Sequence, residues 1–132
     1  MANTVYDFLE VAQERSIDAS TLKREGRFLA AIYLAGYAVE CKLKALLQSR
    51  GKRFPTSGQQ GHHLRGLWEA AGLKLDDLHG ARRLFIDFWT TSLRYEQSLP
   101  DGTDFESLYQ GSVELVGYLQ KRIRDSKDKR LL

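Results

Sequence analysis

The side chains of this chain that could do chemistry are a few histidines, arginines, tyrosines and acids, and two of them follow a basic loop. His62 and His63 come directly after the loop that contains Arg50, Lys52 and Arg53. At the start of a helix, a histidine can donate to a phosphate, which the positive end of the helix dipole also favours. The alternative is a purely structural role, in which one histidine caps the helix or packs on a neighbouring helix.

A second candidate group, Arg94 and Tyr95, stands at the end of a predicted helix. The Arg94 guanidinium could cap the last carbonyls of that helix, or point into a site shared with His62. In the shared site it would bind phosphate oxygens, for which its planar donors are suited. Tyr95 could cover the edge of the core, or stack on a base. We therefore count both residues among the binding candidates, and His62 and Arg94 as catalytic candidates.

The third candidate group lies on one helix. Glu40 and Lys44 are four residues apart and form an ion pair on the same helical face, with Tyr37 beside them. Lys42 follows a stripe of alanines, so its side chain either reaches outward to solvent or meets an acid from another helix. The Glu40 and Lys44 pair completes the set of predicted binding residues.

Several classes of protein can be excluded from the motifs. The chain has no P-loop, no dinucleotide-binding glycine pattern, no Cys and His cluster with zinc spacing and no nucleophile elbow. We therefore predict no metal site and no cofactor. The single cysteine, Cys41, lies in an apolar helix and is interpreted as a small buried side chain. It also suggests a reducing compartment. With no secretory pattern and no membrane-spanning run, we predict a cytoplasmic protein.

Positive charge is concentrated in two places. Residues 50–65 contain four basic residues and no acid, and residues 121–132 contain six basic and two acidic residues. Such patches could form the footprint of a phosphate backbone. A solvated face and a frayed tail are the alternative interpretation.

Helical spacing of apolar residues dominates the sequence, and glycines punctuate it. The predicted helices run over residues 4–25, 27–50, 62–71, from about 76 to 96, and from 103 onward. Gly26 and Gly51 are the expected stops of the first two helices. Between helices 2 and 3 lies a polar loop over 51–61, which we expect to be mobile. The pattern predicts a single all-α domain over 1–132, an antiparallel up-down bundle of four or five helices with a basic tail that frays from about residue 125.

The second predicted helix has almost no solvent face. Its run AIYLAGYAVECKLKALL carries apolar residues on two opposed faces, with a narrow polar strip between them. A helix of this kind must be covered on several sides, so it is expected at the centre of the bundle. Because four short partner helices leave part of it uncovered, we also predict a homodimer.

Three motifs in this order resemble the HEPN domain family (higher eukaryotes and prokaryotes nucleotide-binding). The first is Arg27-Phe28-x-x-Ala31 leading into Ala38-Val39-Glu40-x-x-Leu43-Lys44-Ala45-Leu46-Leu47, the second is His62-x-Leu64-x-x-Leu67, and the third is Arg94-Tyr95. The resemblance covers residues 6–124. Many small members continue the third motif with a proline, where this chain has Glu96.

The resemblance implies a helical bundle that dimerises through its central helices. It also implies a nucleotide- or RNA-phosphate-binding or interaction module, the partner of a minimal nucleotidyltransferase in a toxin–antitoxin-like pair. Tyr95 is the closest counterpart of the tyrosine that such a partner modifies in some pairs. The alternative is a divergent, metal-independent ribonuclease toxin. Ribonuclease members place an arginine four to six residues before a histidine, whereas eight residues separate Arg53 from His62 here.

Overall fold

The structure is a computed structural model that describes residues 5–53 and 62–131, with side chains from 7 to 53 and from 62 to 126. The described residues form five α-helices and no strand, which confirms the predicted all-α bundle. The helices are α1 (Val5–Arg24), α2 (Phe28–Ser49), α3 (Leu64–Ala70), α4 (Gly80–Phe88) and α5 (Phe105–Leu131), with short 3-10 helices at Leu75–Asp77 and Thr91–Tyr95. Most of the predicted mobile loop, residues 54–61, lies outside the described residues.

Glycines end the first two helices, as predicted. Gly26 and Gly51 both have positive φ, which glycine adopts without steric cost. The N–H of Arg27 then donates to the carbonyl of Leu22, at 2.9 Å, and satisfies one of the last acceptors of α1. This tight turn makes α1 and α2 antiparallel neighbours in extensive contact.

Helix α2 is the centre of the bundle, in contact with α1, α3, α5 and the second 3-10 helix. Its buried residues include both apolar faces and also the polar side chains of Glu40, Lys42 and Lys44. Ala38, Cys41 and Ala45 on the second face are covered within the chain. Most of the second face is therefore covered within the chain, whereas Leu34 is half-buried and Phe28, at the start of α2, is exposed. The dimer stays a prediction.

The fourth predicted helix is interrupted, so its predicted bounds are wrong at both ends. A 3-10 turn covers Leu75–Asp77, and α4 begins only at Gly80 and ends at Phe88. Trp89 and Thr90 then adopt extended backbone, and the Thr90 hydroxyl caps the next 3-10 helix by accepting from the N–H of Ser92 at 3.2 Å. Thr and Ser compete with helical hydrogen bonding through such local bonds. Arg94 and Tyr95 therefore lie on a separate 3-10 helix.

Residues 103–106, Thr-Asp-Phe-Glu, have the pattern of a capping box, which predicts Thr103 as the cap of the last helix, and this prediction is wrong. Asp104, not Thr103, caps α5, because its carboxylate accepts from the N–H and the hydroxyl of Ser107 at 3.1 and 2.7 Å. Thr103 donates to the carbonyl of Pro100 instead. Hydrogen bonds from Ser107 lower the pKa of Asp104, as expected for a capping carboxylate. The helix then extends to Leu131, through most of the basic tail that we expected to fray.

A close contact between Trp89 and α2 determines the path of the chain after α4. The Trp89 indole lies directly against Gly36, where a Cβ atom would come within 1.9 Å of the indole nitrogen. Trp89 Nε1 donates to the carbonyl of Tyr33 at 3.1 Å. Because the second 3-10 helix follows Trp89 at once, this contact fixes the position of Arg94 beside α2. No helix in the described part of the chain is long and apolar enough to cross a membrane.

Candidate functional site

An aromatic cluster of two tyrosines from α2 and of Trp89 lies beside the predicted site residues. The hydroxyls of Tyr33 and Tyr37, one helical turn apart, are 3.0 Å apart and hydrogen-bonded. Tyr37 meets the Trp89 indole edge-on, with 5.3 Å between ring centroids, and Tyr33 stacks on the same indole at 6.3 Å. Burial, with the bond from Tyr33, raises the pKa of Tyr37 well above its usual value. The Tyr37 hydroxyl therefore stays protonated at neutral pH.

Glu40 links α2 to His62. Its carboxylate accepts from Lys44 Nζ at 2.9 Å, and both side chains are about 95% buried. Its other oxygen, Oε1, lies 2.7 Å from His62 Nδ1. Since an ionised carboxylate can only accept, Nδ1 carries the hydrogen of this bond, and in the neutral imidazole Nε2 is then the acceptor. The imidazole is thus oriented by Glu40, while 28% of its side chain remains exposed.

Arg94 approaches the other end of the same tyrosine pair. Its guanidinium lies over the Tyr95 ring, 4.8 Å from the centroid. The hydroxyls of Tyr95 and Tyr33 raise the pKa of Arg94, so the side chain is a fixed positive charge. On the other side, the Tyr37 ring meets His62 with 5.8 Å between centroids. The tyrosine pair therefore connects His62 to Arg94, which are 32 residues apart in the sequence.

An open cleft of about 970 Å³ adjoins Arg94. Its walls come from the start of α2, from the second 3-10 helix and from the turn before α5. Arg27 and Arg94 contribute positive charge, Phe28 and Phe105 an apolar wall, and Glu96 a carboxylate. Arg27, at the start of α2, makes no side-chain capping bond to that helix. The cleft thus contains both hydrogen-bond donors that suit an anion and an aromatic surface.

The basic loop residues do not join this cleft. Arg50 donates to the carbonyl of Ala71 at the end of α3, and Lys52 lies close to Gly72 at the same end. Arg50 is 17 residues beyond Tyr33 on α2, a rise of about 25 Å. Arg53 is exposed at the edge of the described residues. The sequence also suggested one cleft shared by His62, Arg94 and the basic residues Arg50, Lys52 and Arg53. This hypothesis fails for Arg50 and Lys52, because the loop starts at the far end of α2.

The sequence profile of the HEPN domain family matches residues 5–119. This match spans most of the chain and includes all three motifs on which the resemblance rests. The chain belongs to the HEPN domain family. No curated protein and no solved structure matches it significantly.

Three further residues singled out in the sequence of this HEPN domain have structural roles. His63 caps α3, since its Nδ1 accepts from the N–H of Gly66 at 3.2 Å, whereas its neighbour His62 turns to Glu40. Burial raises the pKa of the Cys41 thiol to about 11, which leaves it unreactive at neutral pH. Lys42 donates to the Gln120 amide of α5 and not to an acid, and burial lowers the pKa of Lys42.

Sequence reasoning missed four contributors to the HEPN domain's site: Tyr33, Trp89, Gly36 and Arg27. Tyr33 and Tyr37 were recognisable as one strip of α2, because they are four residues apart. Gly36 inside an otherwise apolar helix was also a signal, since a glycine there has a packing reason. Nothing local connected it to Trp89. Among the described residues, no group of three His, Cys, Asp or Glu could hold a metal ion.

Proposed function

We propose that this HEPN domain binds a phosphate group of a nucleotide or RNA, with Arg94 as its anchor. One observation carries the proposal: Arg94 is exposed, at the edge of a cleft, and no carboxylate among the described residues lies within ion-pair distance of it. A guanidinium held by aromatic side chains is well suited to phosphate oxygens.

Other arginines support this interpretation by contrast. Arg65 and Arg83 both pair with Asp87, and Arg82 pairs with Glu114 at 3.0 Å. Arg27 shares the cleft with Arg94 and likewise has no ion pair among the described residues. Within the cleft, both arginines therefore have charge available for a ligand, whereas arginines such as Arg122, which has no ion pair in the described part of the chain, lie outside it.

We expect Arg94→Ala to weaken the binding of RNA or of a nucleotide by about 1–3 kcal/mol, the range for a lost hydrogen bond to a charged group. The fold should be unchanged, because Arg94 is exposed. Fluorescence anisotropy with a labelled single-stranded RNA measures the change. Repeated at two salt concentrations, it should also show weaker binding at the higher one, since phosphate contacts release counterions.

Arg122→Ala is the matched control. Arg122 is also exposed and lies over a tyrosine, 5.0 Å from the Tyr118 centroid, but it is not in the cleft. Its replacement removes only one charge that attracts RNA non-specifically. The affinity should therefore stay within about twofold of the wild type. Equal losses in the two variants would show that general positive charge binds the RNA. Equal affinity of Arg94→Ala and wild type would reject the site.

The family resemblance supports two further proposals about partners. We propose that the domain forms a homodimer and docks a minimal nucleotidyltransferase. Tyr95 is 76% exposed beside Arg94, so it is accessible to another protein. The exposed apolar side chains of α1 and α5, Val11, Ile17 and Val113, offer surface for a partner.

A second candidate function, RNA cleavage, is favoured by the bond between Glu40 and His62. With Nδ1 bound to Glu40, the free Nε2 could take the proton of a ribose 2′-hydroxyl. The 2′ oxygen would then attack phosphorus and break its bond to the 5′ oxygen, which takes a proton from water. A 2′,3′-cyclic phosphate and a 5′-hydroxyl would result, with Arg94 stabilising the charge on the phosphate.

His62→Ala separates the two functions. If the domain cleaves RNA, this variant should lose about 10²-fold or more of the rate, the contribution typical of a general base. His63→Ala is its control, because His63 only caps α3. Product analysis on a labelled RNA measures both rates and detects the cyclic phosphate. A wild type that binds RNA without cleaving it would reject the ribonuclease and leave the binding module.

A further inference from the structure

We infer that the cleft beside Arg94 binds one purine nucleoside monophosphate unit, with the base on Phe28 and the phosphate on Arg94. The inference rests on the proposed phosphate site and adds the rest of the ligand to it. Neither the charge patches nor the sequence motifs assigned a ligand contact to Phe28. The unit is either a free nucleotide or the terminal nucleotide of an RNA strand.

Phe28 is an aromatic surface open to the cleft. It is 46% exposed, although it belongs to the first turn of the most buried helix in the bundle. Its ring rests on Phe105, with 4.4 Å between centroids, and Phe105 in turn stacks on Tyr109 at 5.7 Å. The Phe28 ring is therefore held in place by a row of aromatic side chains, Phe105 and then Tyr109. A base can therefore stack on Phe28 without the cost of ordering a loose side chain.

The cleft brings an aromatic face and two guanidinium groups together. Phe28 and Arg94 both line it, and Arg27 precedes Phe28 at the start of α2. Arg94 also lies beside Tyr33, so positive charge comes from two separate segments of the chain. The cleft volume of about 970 Å³ is within the range of small-molecule sites.

The charges of the cleft favour one phosphate over a polyphosphate. Arg27 and Arg94 contribute two positive charges, and Glu96 contributes one negative charge to the same walls. A triphosphate would bring several negative charges close to the Glu96 carboxylate. Glu96 can instead accept from a ribose hydroxyl, as carboxylates do in other nucleotide sites. We expect a purine base at this site, because its two fused rings cover more of the Phe28 ring than a pyrimidine does.

The experiment is a calorimetric titration of the full chain with AMP, adenosine, inorganic phosphate and a short oligoadenylate. Three variants are compared with the wild type: Phe28→Leu, Phe28→Tyr and Arg94→Gln. Leucine keeps the apolar contact with Phe105 but removes the aromatic face, whereas tyrosine retains that face. We expect Phe28→Leu to weaken AMP binding about tenfold and Phe28→Tyr to remain within about twofold of the wild type. Thermal melts check that both variants fold.

The probes distinguish the sources and the possible failures. Binding of AMP with this variant pattern identifies a free nucleotide, and binding of the oligoadenylate alone with the same pattern identifies an RNA end. Arg94→Gln should weaken AMP and phosphate, while Phe28→Leu should leave phosphate binding unchanged. If Phe28→Leu binds AMP and oligoadenylate like the wild type while Arg94→Gln is weaker, the base site is rejected and the phosphate site stands. If binding does not depend on Arg94, the proposed function is rejected as well.

Discussion

Replacing Gly36 by alanine is expected to lower the free energy of unfolding by about 3 kcal/mol. A Cβ atom at this position would come within 1.9 Å of Trp89 Nε1, which no small adjustment can relieve. The indole must move, and its buried N–H then loses the carbonyl of Tyr33. Chemical denaturation of the two proteins measures the difference. Because Trp89 positions the 3-10 helix that carries Arg94, RNA binding should weaken in the same variant.

Gly117→Ala provides the control on helix α5. Gly117 is also inside a helix, but a Cβ atom there would meet nothing within 4 Å. Alanine has the higher helix propensity, so this variant should be more stable than the wild type by up to about 1 kcal/mol. The two substitutions are chemically identical, and only their surroundings differ. If Gly36→Ala were also stabilising, the close approach of Trp89 to α2 would be wrong.

Replacing Glu40 by alanine should cost about 3–5 kcal/mol, because it leaves the buried Lys44 ammonium without this carboxylate. The surroundings provide little water to solvate the charge, since only 3% of the Lys44 side chain is exposed. His62 also loses the acceptor of its Nδ1 hydrogen, and α3 loses that link to α2. Urea denaturation measures the stability, and the NMR signals of the His62 ring report the lost hydrogen bond.

Two variants make this test specific. Glu114→Ala removes a partly exposed partner of Arg82 at nearly the same ion-pair distance, and it should change the stability only slightly. The double variant Glu40→Met with Lys44→Met removes both buried charges and should recover most of the loss, since apolar pairs often replace buried ion pairs without cost. If Glu40→Ala and Glu114→Ala were equally mild, the burial of the Glu40–Lys44 pair would be contradicted.

The helices and the family could be predicted from the sequence because their signals are local. Apolar spacing, the stops at Gly26 and Gly51 and the motif around Glu40 need no knowledge of distant residues. Local rules failed where two of them competed. Thr103 and Asp104 are both good caps, and only the turn at Pro100 decides that Thr103 is used elsewhere. Likewise, the helical pattern around Asp76 gave no sign that α4 begins at Gly80.

In the candidate site, too, residue types could be predicted from the sequence but their contacts could not. The bundle, the central position of α2 and the residue types able to bind a phosphate all follow from local patterns in the sequence. Which of these residues meet depends on the fold, which brings together Glu40 with His62, Arg94 with Tyr33, and Arg50 with the far end of α3. These contacts join residues that are 21 to 61 positions apart. They depend on how closely distant segments approach one another, and for Arg94 that approach is set by the fit of Trp89 against Gly36.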